Sequence, residues 1–297
     1  NAGTSPVGSL GVMVALEPRY FSGYADAWSE ALGRIRSQGT ETILQGVEQL
    51  ASLTSAQSPL LQVLQQVREH TRFPSATSGL DELLTRVPRT AGVPGEVAQL
   101  LPSSVQEAVP QVVPNTARRA LQRRFESLHH LLDDQHNPGA EVTQVLHALN
   151  EVHLQLLALN REERSELAAF VLVKRRMSGE QDALGHLRNV TARLPLPLSG
   201  WLDGLADETW RRLLEQAYRH VNQRYQAEVY GFYDKAIKPH YPFNAHAGSD
   251  VTLNDFQAFF NPQGVMARFI DNYLQPFIRS EERRVGKEGR SRWWPYH

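Results

Sequence analysis

The sequence predicts an all-α fold, arranged as an elongated multi-helix bundle with one long strut helix. Apolar residues recur at spacings of three and four along most of the chain, which is typical of amphipathic helices. Runs of alternating β-branched residues between turn signals are absent, so we expect no sheet. The chain has 297 residues and no cysteine. This length can bury a large core without disulfides, and the lack of cysteine excludes thiol catalysis and thiolate metal sites.

Three helices are predicted before residue 74. The first begins after Pro18, and its apolar stripe contains Tyr20, Tyr24, Trp28, Leu32 and Ile35. The stripe of the second contains Ile43, Val47, Leu50 and Leu53. An N-cap at Ser58 and a proline at the first helical position, Pro59, predict the start of the third helix, which ends near Pro74.

Residues 74–115 are predicted to form a proline-rich linker. Six of the 17 prolines lie in this stretch. Short apolar pieces between them predict brief helices at Leu80–Arg86 and Gly95–Leu101. We therefore expect a domain boundary here, with one domain over residues 1–115 and a second over residues 116–278.

The second domain begins with four predicted helices. The stripe of the first holds Leu121, Phe125, Leu128, Leu131 and Leu132, and this helix ends at Asn137–Gly139. The stripe of the next holds Val142, Val145, Leu146, Leu149, Val152, Leu156 and Leu159. Helices over Leu167–Met177 and Ala183–Arg193 follow, and the prolines of Leu194–Trp201 predict a fixed turn.

The strut helix is predicted to run from an N-cap at Asp207 to Lys238. Its apolar stripe contains Trp210, Leu213, Leu214, Ala217, Val221, Tyr225, Val229, Phe232 and Ile237. Such a helix would span about 48 Å, which suits a scaffold better than a compact enzyme core. A last amphipathic helix is expected over Val265–Leu274, with a break near Pro276.

The segment His240–Phe260, "HYPFNAHAGSDVTLNDFQAFF", lies between the strut helix and this last helix. Pro239 and Pro242 are expected to stop the strut helix, and Gly248-Ser249 permits a turn. Thr252 or Asn254 is expected to cap the next helix. The apolar residues of that helix predicted to face the core are Leu253, Phe256, Phe259 and Phe260.

No catalytic, cofactor-binding or metal-binding residue is predicted. The sequence contains no phosphate-binding loop, no dinucleotide fingerprint, no G-x-S-x-G elbow and no H-E-x-x-H pair. Two groups of possible metal ligands are His130 with Asp133 and Asp134, and His240 with His246 and Asp250. We interpret both as solvated polar residues, because adjacent helical residues point apart and no fourth ligand is evident. A helical metallohydrolase built on the second group is the alternative.

The C-terminal stretch Arg279–His297, "RSEERRVGKEGRSRWWPYH", is interpreted as a disordered artefact. It has no apolar period, and it closely resembles the frame translation of a common sequencing adapter. Lys and Arg total 31 against 32 Asp and Glu in the whole chain. Without the tail, which holds six Lys/Arg and three Asp/Glu, the formal net charge changes from −1 to −4. A nucleic-acid partner is therefore not predicted.

A set of spaced aromatic and proline residues carries a family resemblance. The stretch from "LPLPLSGW" to "FIDNYLQPF" contains the matching positions Trp201, Trp210, Tyr241, Pro242, Phe243, Asp250, Leu253, Phe256, Phe259, Phe260, Gly264 and Phe269. Upstream, the Tyr20-Tyr24-Trp28-Leu32 series and "LASLTSAQSPLLQVLQQVREHT" match as well. From about Arg19 to Ile278 the chain resembles the IcmF/TssM family of type VI secretion systems.

The resemblance implies a non-catalytic scaffold without a cofactor. Family members are inner-membrane proteins with a long periplasmic part, and they join a small inner-membrane partner and an outer-membrane lipoprotein in a trans-envelope complex. Residues 1–115 would be the end of the IcmF-related segment, and residues 116–278 the periplasmic helical domain. Self-association is implied too. The lipoprotein-binding β-rich domain of the family is expected after Ile278, and a related type IV-like secretion scaffold is the other possibility.

Overall fold

The computed structural model describes residues 6–72 and 115–278. The all-α class is confirmed, since these residues form helices and no strand, with only isolated bridges between Leu132 and Pro138 and between Tyr241 and Asp250. The predicted linker at 74–115, its short helices Leu80–Arg86 and Gly95–Leu101, and the tail Arg279–His297 lie outside the described residues, apart from Asn115. The domain boundary in the linker stays a prediction.

The described residues form α-helices and π-helical segments along the chain. The α-helices are α1 Pro6–Arg34, α2 Ile43–Thr54, α3 Pro59–Thr71, α4 Asn115–Arg124, α5 Glu126–His129, α6 Ala140–Arg161, α7 Ser165–Met177, α8 Ala183–Thr191, α9 Leu198–Arg224, α10 Leu253–Phe260 and α11 Val265–Phe269. Three π-helical segments are π1 Tyr225–Tyr230, π2 Tyr233–Ile237 and π3 Ile270–Leu274.

Contacts divide the molecule into two compact units. The first comprises the described residues within 1–36, 55–146 and 193–201. The second comprises those within 37–54, 147–192 and 202–297. Both units are therefore assembled from stretches that are distant in the sequence, and each has its own buried apolar residues.

In the first unit α1 contacts α4 and α3 contacts α5. The interior contains Leu32, Leu60, Leu64, Val67, Leu121, Phe125, Leu128, Leu131 and Leu132. Aromatic residues of α1 contact α3 at His70. The Trp28 ring stacks on the His70 ring with their centroids 5.8 Å apart, and the Tyr24 hydroxyl donates to the His70 carbonyl. The predicted burial of the Leu121–Leu132 stripe is thus confirmed.

A buried arginine joins α3 to the turn after α5. The Arg68 side chain is 4% exposed, and its Nη1 donates to the carbonyl oxygens of Leu132, at 2.7 Å, and of Asp133. Its Nη2 donates to Asp134 Oδ1 at 3.2 Å. One planar guanidinium thus donates to two backbone carbonyls of this turn, of which that of Asp133 also accepts from the His136 amide at 3.1 Å.

Two predicted helix boundaries in the first unit are wrong. Pro18 lies inside α1, which begins at Pro6, rather than before it. The predicted helix over Leu121–Leu132 is two helices, α4 and α5, with Phe125 as the N-cap of α5 at φ −108° and ψ 7°. All five stripe residues are buried on both sides of this break. The apolar spacing in the sequence therefore does not reveal it.

In the second unit the interior is formed by regularly spaced residues of α2, α6, α7, α8 and α9. Buried residues there include Leu50, Leu149, Leu156, Val173, Leu184, Leu187, Leu213 and Ala217. The α8 N-terminus is capped by Asp182, whose Oδ1 accepts from the Gly185 amide at 2.8 Å. Arg176 pairs with the same carboxylate and lies over the Trp210 ring, 5.0 Å from its centroid.

The predicted N-cap of the strut helix at Asp207 is wrong. Helix α9 begins at Leu198, and residues 198–237 are helical throughout, with π1 and π2 at the end. Leu198, Leu202 and Leu205 are buried at helical spacing, so the amphipathic pattern extends upstream of Asp207. Asp207 instead pairs with Arg188 at 2.5 Å.

The last helix also differs from the prediction. Residues 265–278 are helical without a break at Pro276. The Gln275 amide donates to the carbonyl of Ile270, five residues back, so a wider turn precedes the proline. Such a turn relieves the crowding that a proline ring causes against the preceding carbonyls.

Candidate functional site

The corner between π2 and α10 holds the residues that the sequence singles out. Helical structure ends at Ile237, directly before Lys238 and Pro239, as predicted. Residues 238–252 then form turns and bends with few regular hydrogen bonds.

A short backbone bridge closes this corner. The Tyr241 amide donates to the Ser249 carbonyl at 3.0 Å, and the Val251 amide donates to the Tyr241 carbonyl at 3.0 Å. A ring nitrogen of His240, Nδ1, lies 2.9 Å from Ser249 Oγ. The backbone of Asp250 is part of the bridge, while its side chain is exposed.

The structure does not bring His240, His246 and Asp250 together as ligands. His246 is exposed, and its backbone amide donates to Asn244 Oδ1 at 3.0 Å. Within residues 6–72 and 115–278, no three His, Asp or Glu side chains converge on a point that could hold a metal ion. The geometry therefore gives a metallohydrolase no support.

The other polar group has structural contacts as well. The Asp133 carboxylate accepts from the backbone amides of Gln135 and Asn137, at 2.9 and 2.7 Å, and these contacts with the Asn137 amide lower the Asp133 pKa. Asp134 pairs with Arg68, and His130 lies 3.7 Å from Glu126. These side chains fix a turn.

Helix α10 starts with a side-chain cap at Thr252, one of the two predicted positions. The Asp255 amide donates to Thr252 Oγ1 at 3.1 Å, and the Thr252 hydroxyl donates to Asp255 Oδ2 at 2.6 Å. This reciprocal pair orients the helix as it leaves the corner.

The predicted burial of the α10 apolar residues is correct only for Phe259. That ring is 3% exposed and packs against Phe232 and Tyr233 at 5.8 and 5.9 Å. Leu253, Phe256 and Phe260 are 69%, 41% and 44% exposed, so their predicted burial is wrong. A short helix has room for one contact line against Phe232 and π2, and the remaining apolar residues face solvent.

The exposed rings form one continuous surface. Phe260 stacks on Phe243 at 6.0 Å and contacts Phe256 at 4.7 Å. Leu253 lies one turn before Phe256 on the same helix. We call Phe243, Leu253, Phe256 and Phe260 the corner surface. Exposed aromatic clusters of this kind are typical of protein contact sites.

Among the remaining motif residues, Gly264, Phe269 and Trp201 pack against neighbouring elements. Gly264 is buried under the carbonyls that end α10, and Phe269 packs between Tyr225 and Tyr273 at 5.7 and 5.2 Å. In the first unit, the Trp201 indole donates from Nε1 to the Leu32 carbonyl at 3.1 Å. Tyr241 and Pro242 are exposed.

Comparison with known proteins shows what this chain is similar to. Residues 7–72 match the family described as IcmF-related: Intracellular multiplication and human macrophage-killing. The chain is 22% identical over 281 residues to the type VI secretion system component TssM1 of Pseudomonas aeruginosa. That match covers 89% of this chain and 24% of the relative. The chain thus spans about a quarter of the length of this curated relative.

Two solved structures share the fold. A chain of a type VI secretion system membrane core complex aligns with a TM-score of 0.56 over 92% of this chain and 52% of its own length. A chain of a type VI membrane complex aligns with a TM-score of 0.55 over 88% of this chain and 45% of its own length. Both are 19% identical to this chain.

In residues 6–72 and 115–278, no helix has the length and hydropathy needed to cross a bilayer. The match of the first helices, the curated relative and the shared helical architecture agree with one another. The chain is therefore similar to the IcmF-related family over residues 7–72 and to the type VI secretion component TssM1 over most of its length.

Proposed function

We propose that this chain is a structural scaffold of the type VI secretion trans-envelope complex. It would form a periplasmic part of a protein anchored in the inner membrane, and it would act without catalysing a reaction. The observation that carries this proposal is the fold that 92% of the chain shares with a type VI membrane core complex.

The described residues are suited to such a role. Both units are built from helices with well-buried apolar stripes, and the polar side chains of the corner are engaged in turns and caps. Within the part of the chain that the structure describes, the corner surface leaves three aromatic side chains and Leu253 exposed. We infer that another subunit of the complex contacts this surface.

The partners that follow from this role are an inner-membrane subunit, an outer-membrane lipoprotein and further copies of the same protein. The family pattern assigns lipoprotein binding mainly to a domain expected after Ile278. This chain would therefore transmit the connection across the periplasm, with contacts to neighbouring copies along its length.

Secretion in the host bacterium tests the scaffold role. We expect an in-frame deletion of residues 6–278 from the intact gene to abolish release of the tube protein and formation of membrane foci. Secretion that persists at the wild-type level after this deletion would refute the scaffold role.

The corner surface is tested separately with Phe256→Ser and Phe260→Ser together. Leu44→Ser with Leu154→Ser is the matched control, because these leucines are 50% and 53% exposed elsewhere. We expect the first pair to reduce secretion at least about tenfold at unchanged protein level, because aromatic residues often dominate binding at interfaces. The control pair should leave secretion unchanged. A silent first pair would exclude the corner surface while leaving the scaffold role intact.

A type IV-like secretion scaffold is the second candidate, because IcmF relatives occur in such systems. Genes for sheath, tube and baseplate beside the intact gene would favour type VI. For the metallohydrolase alternative, metal analysis of the purified chain and of His246→Ala is decisive. Stoichiometric metal that is bound by the wild-type chain and absent from His246→Ala would support the metallohydrolase.

A further inference from the structure

A solvent-open cleft in the second unit has a lining that none of the roles above uses. Its volume is about 570 Å³. One wall is the face of α7 that contains Leu167, Val171 and Lys174, at spacings of four and three. The opposite wall is one turn of α9, with His220 and Arg224.

The floor of the cleft is aromatic. Phe170 is buried, and its ring lies 5.3 Å from His220 and 5.7 Å from Tyr273. Burial, and then the charge of Arg224, lowers the His220 pKa, so the imidazole is neutral near pH 7. Val171 is 46% exposed although it is apolar. The floor and the α7 wall therefore present apolar surface to solvent.

The rim of the cleft is basic. Four cations line it, Arg164, Lys174, Arg175 and Arg224, against one acidic residue, Glu180. Arg175 pairs with Glu180 at 2.7 Å, and Arg224 pairs with Glu228 and donates to the Tyr273 hydroxyl. Arg164 and Lys174 have no ion pair within the residues that the structure describes, and both are exposed.

The two uncompensated cations stand at opposite ends of the apolar wall. Ten residues of helix separate them, which is about 15 Å along the axis. Leu167 and Val171 lie between them on the same face. A ligand that matches this order has apolar groups in its middle and negative charges toward its ends.

We propose that this cleft binds an acidic amphipathic peptide segment of a partner protein. Carboxylates of the segment would pair with Arg164 and Lys174, and its apolar side chains would contact Leu167, Val171 and the aromatic floor. An open groove about three helical turns long fits a peptide of this kind, since apolar anchors supply contact area and the flanking charges set the register. The proposal goes beyond the scaffold role and does not depend on it.

Selection from a random peptide library tests the proposal without a known partner. The 297-residue chain is the bait, and Arg164→Glu with Lys174→Glu is the counter-selection. We expect enriched peptides to carry two or more Asp or Glu residues around an apolar centre. Enrichment of neutral or basic peptides, or none specific to the wild-type chain, would overturn the proposal.

Calorimetry with an enriched peptide then measures the contribution of the cations. We expect the double reversal to weaken binding at least about tenfold, and higher salt to weaken wild-type binding. Lys235→Glu with Arg268→Glu changes the net charge equally outside the cleft and should bind within about twofold of wild type. Equal weakening in both would show a non-specific charge effect and overturn the site.

Two further measurements distinguish peptide binding at the cleft from a folding defect and from lipid binding. Arg164→Gln with Lys174→Gln gives a milder variant, and circular dichroism confirms that each variant is folded. Flotation with phosphatidylcholine–phosphatidylglycerol vesicles asks whether an anionic lipid uses the same residues. Vesicle binding that is lost in the double variant, without any enriched acidic peptide, would assign the cleft to lipid instead.

Discussion

His129 is a buried imidazole held between a hydroxyl and several cations. Its Nε2 lies 2.6 Å from Thr71 Oγ1, and the Thr71 hydroxyl lies 2.6 Å from the Val67 carbonyl. Burial, followed by the charges of Arg72, Arg68 and His130, lowers the His129 pKa to about 4. The imidazole is therefore neutral in the folded chain at pH 7.

This buried imidazole makes stability depend on pH in a defined window. The folded pKa lies below the unfolded value of 6.5, so the unfolded chain binds more protons between pH 6.5 and pH 4. The contribution of His129 is complete above pH 6.5 and is lost as pH falls toward 4. Its full size is about 3 kcal/mol, from about 1.4 kcal/mol per pKa unit.

Urea denaturation of wild type and His129→Gln across this window measures the effect. We expect the free energy of unfolding of the wild type to fall more steeply with acidification than that of the variant. His246→Gln, an exposed histidine in the corner, should keep the wild-type slope. Parallel slopes for all three chains would contradict the role of His129.

The junction between α10 and α11 depends on a residue without a side chain. A Cβ placed on Gly264 would lie 2.7 Å from the Ala258 carbonyl oxygen, 2.8 Å from that of Phe259 and 2.9 Å from that of Asn261. All three are backbone atoms that cannot swing away. The chain can therefore enter α11 at this angle only with glycine.

Substitution of this glycine tests the junction. We expect Gly264→Ala to destabilise the fold by about 1–3 kcal/mol, because the carbonyls that end α10 must shift. Gly204→Ala is the matched control, since Gly204 is an exposed position of α9 with nothing within 4 Å of the added carbon. The control should gain up to about 1 kcal/mol from helix propensity. Thermal denaturation distinguishes the two, and equal midpoints would contradict the argument.

At the level of elements, spacing alone predicted most helices. The helices α2, α3, α6, α7 and α8 each bury one continuous face. Their apolar residues therefore repeat at the helical period, which identifies both the helix and the face that it buries. Boundaries were harder. Pro18 and Pro276 indicate helix ends in isolation, but both lie inside helical segments. Phe125 breaks a helix because of local backbone angles, which leave the apolar period unchanged.

At the corner, the sequence predicts the helix correctly but the burial of its side chains wrongly. Leu253, Phe256, Phe259 and Phe260 have a spacing that predicts one buried stripe, yet only Phe259 meets an inner partner. Hydrophobic spacing identifies a face without showing whether the molecule supplies anything to cover it. The capping residue Thr252, by contrast, was predictable because its hydrogen bonds are local.

At the scale of the whole molecule, the proposed periplasmic location can be tested with a single thiol. The chain has no cysteine, so Gln257→Cys on the exposed face of α10 introduces a unique reporter. Cysteines elsewhere in the intact protein would be replaced by serine. We expect a membrane-impermeant maleimide to label this thiol once the outer membrane alone is permeabilised. A cysteine in a cytoplasmic protein is the control, and labelling that requires inner-membrane lysis would contradict the location.

The binding cleft could not have been predicted from sequence. The charged run Arg161–Glu166 has the composition of a solvated helix face, and Arg164 within it carries no distinguishing neighbour. Lys174 follows ten residues later, and His220 and Tyr273 arrive from helices 50 and 100 residues further on, by rough count. Only the tertiary arrangement places these side chains around one space. The family resemblance, in contrast, was visible in the aromatic and proline positions of the chain.

The contacts of the Arg68 guanidinium predict how the chain behaves when its backbone is cut. Its partners at Leu132, Asp133 and Asp134 follow residues 73–114, while Arg68 itself precedes them. Contacts of α1 with α4 and of α3 with α5 add apolar area to the same connection. These contacts join residues before position 73 to residues after position 114, so a chain cut once between those positions is expected to give two polypeptides that stay associated. Arg68→Met removes these hydrogen bonds and is expected to weaken the association of the two polypeptides, which size-exclusion chromatography of the cut chain measures.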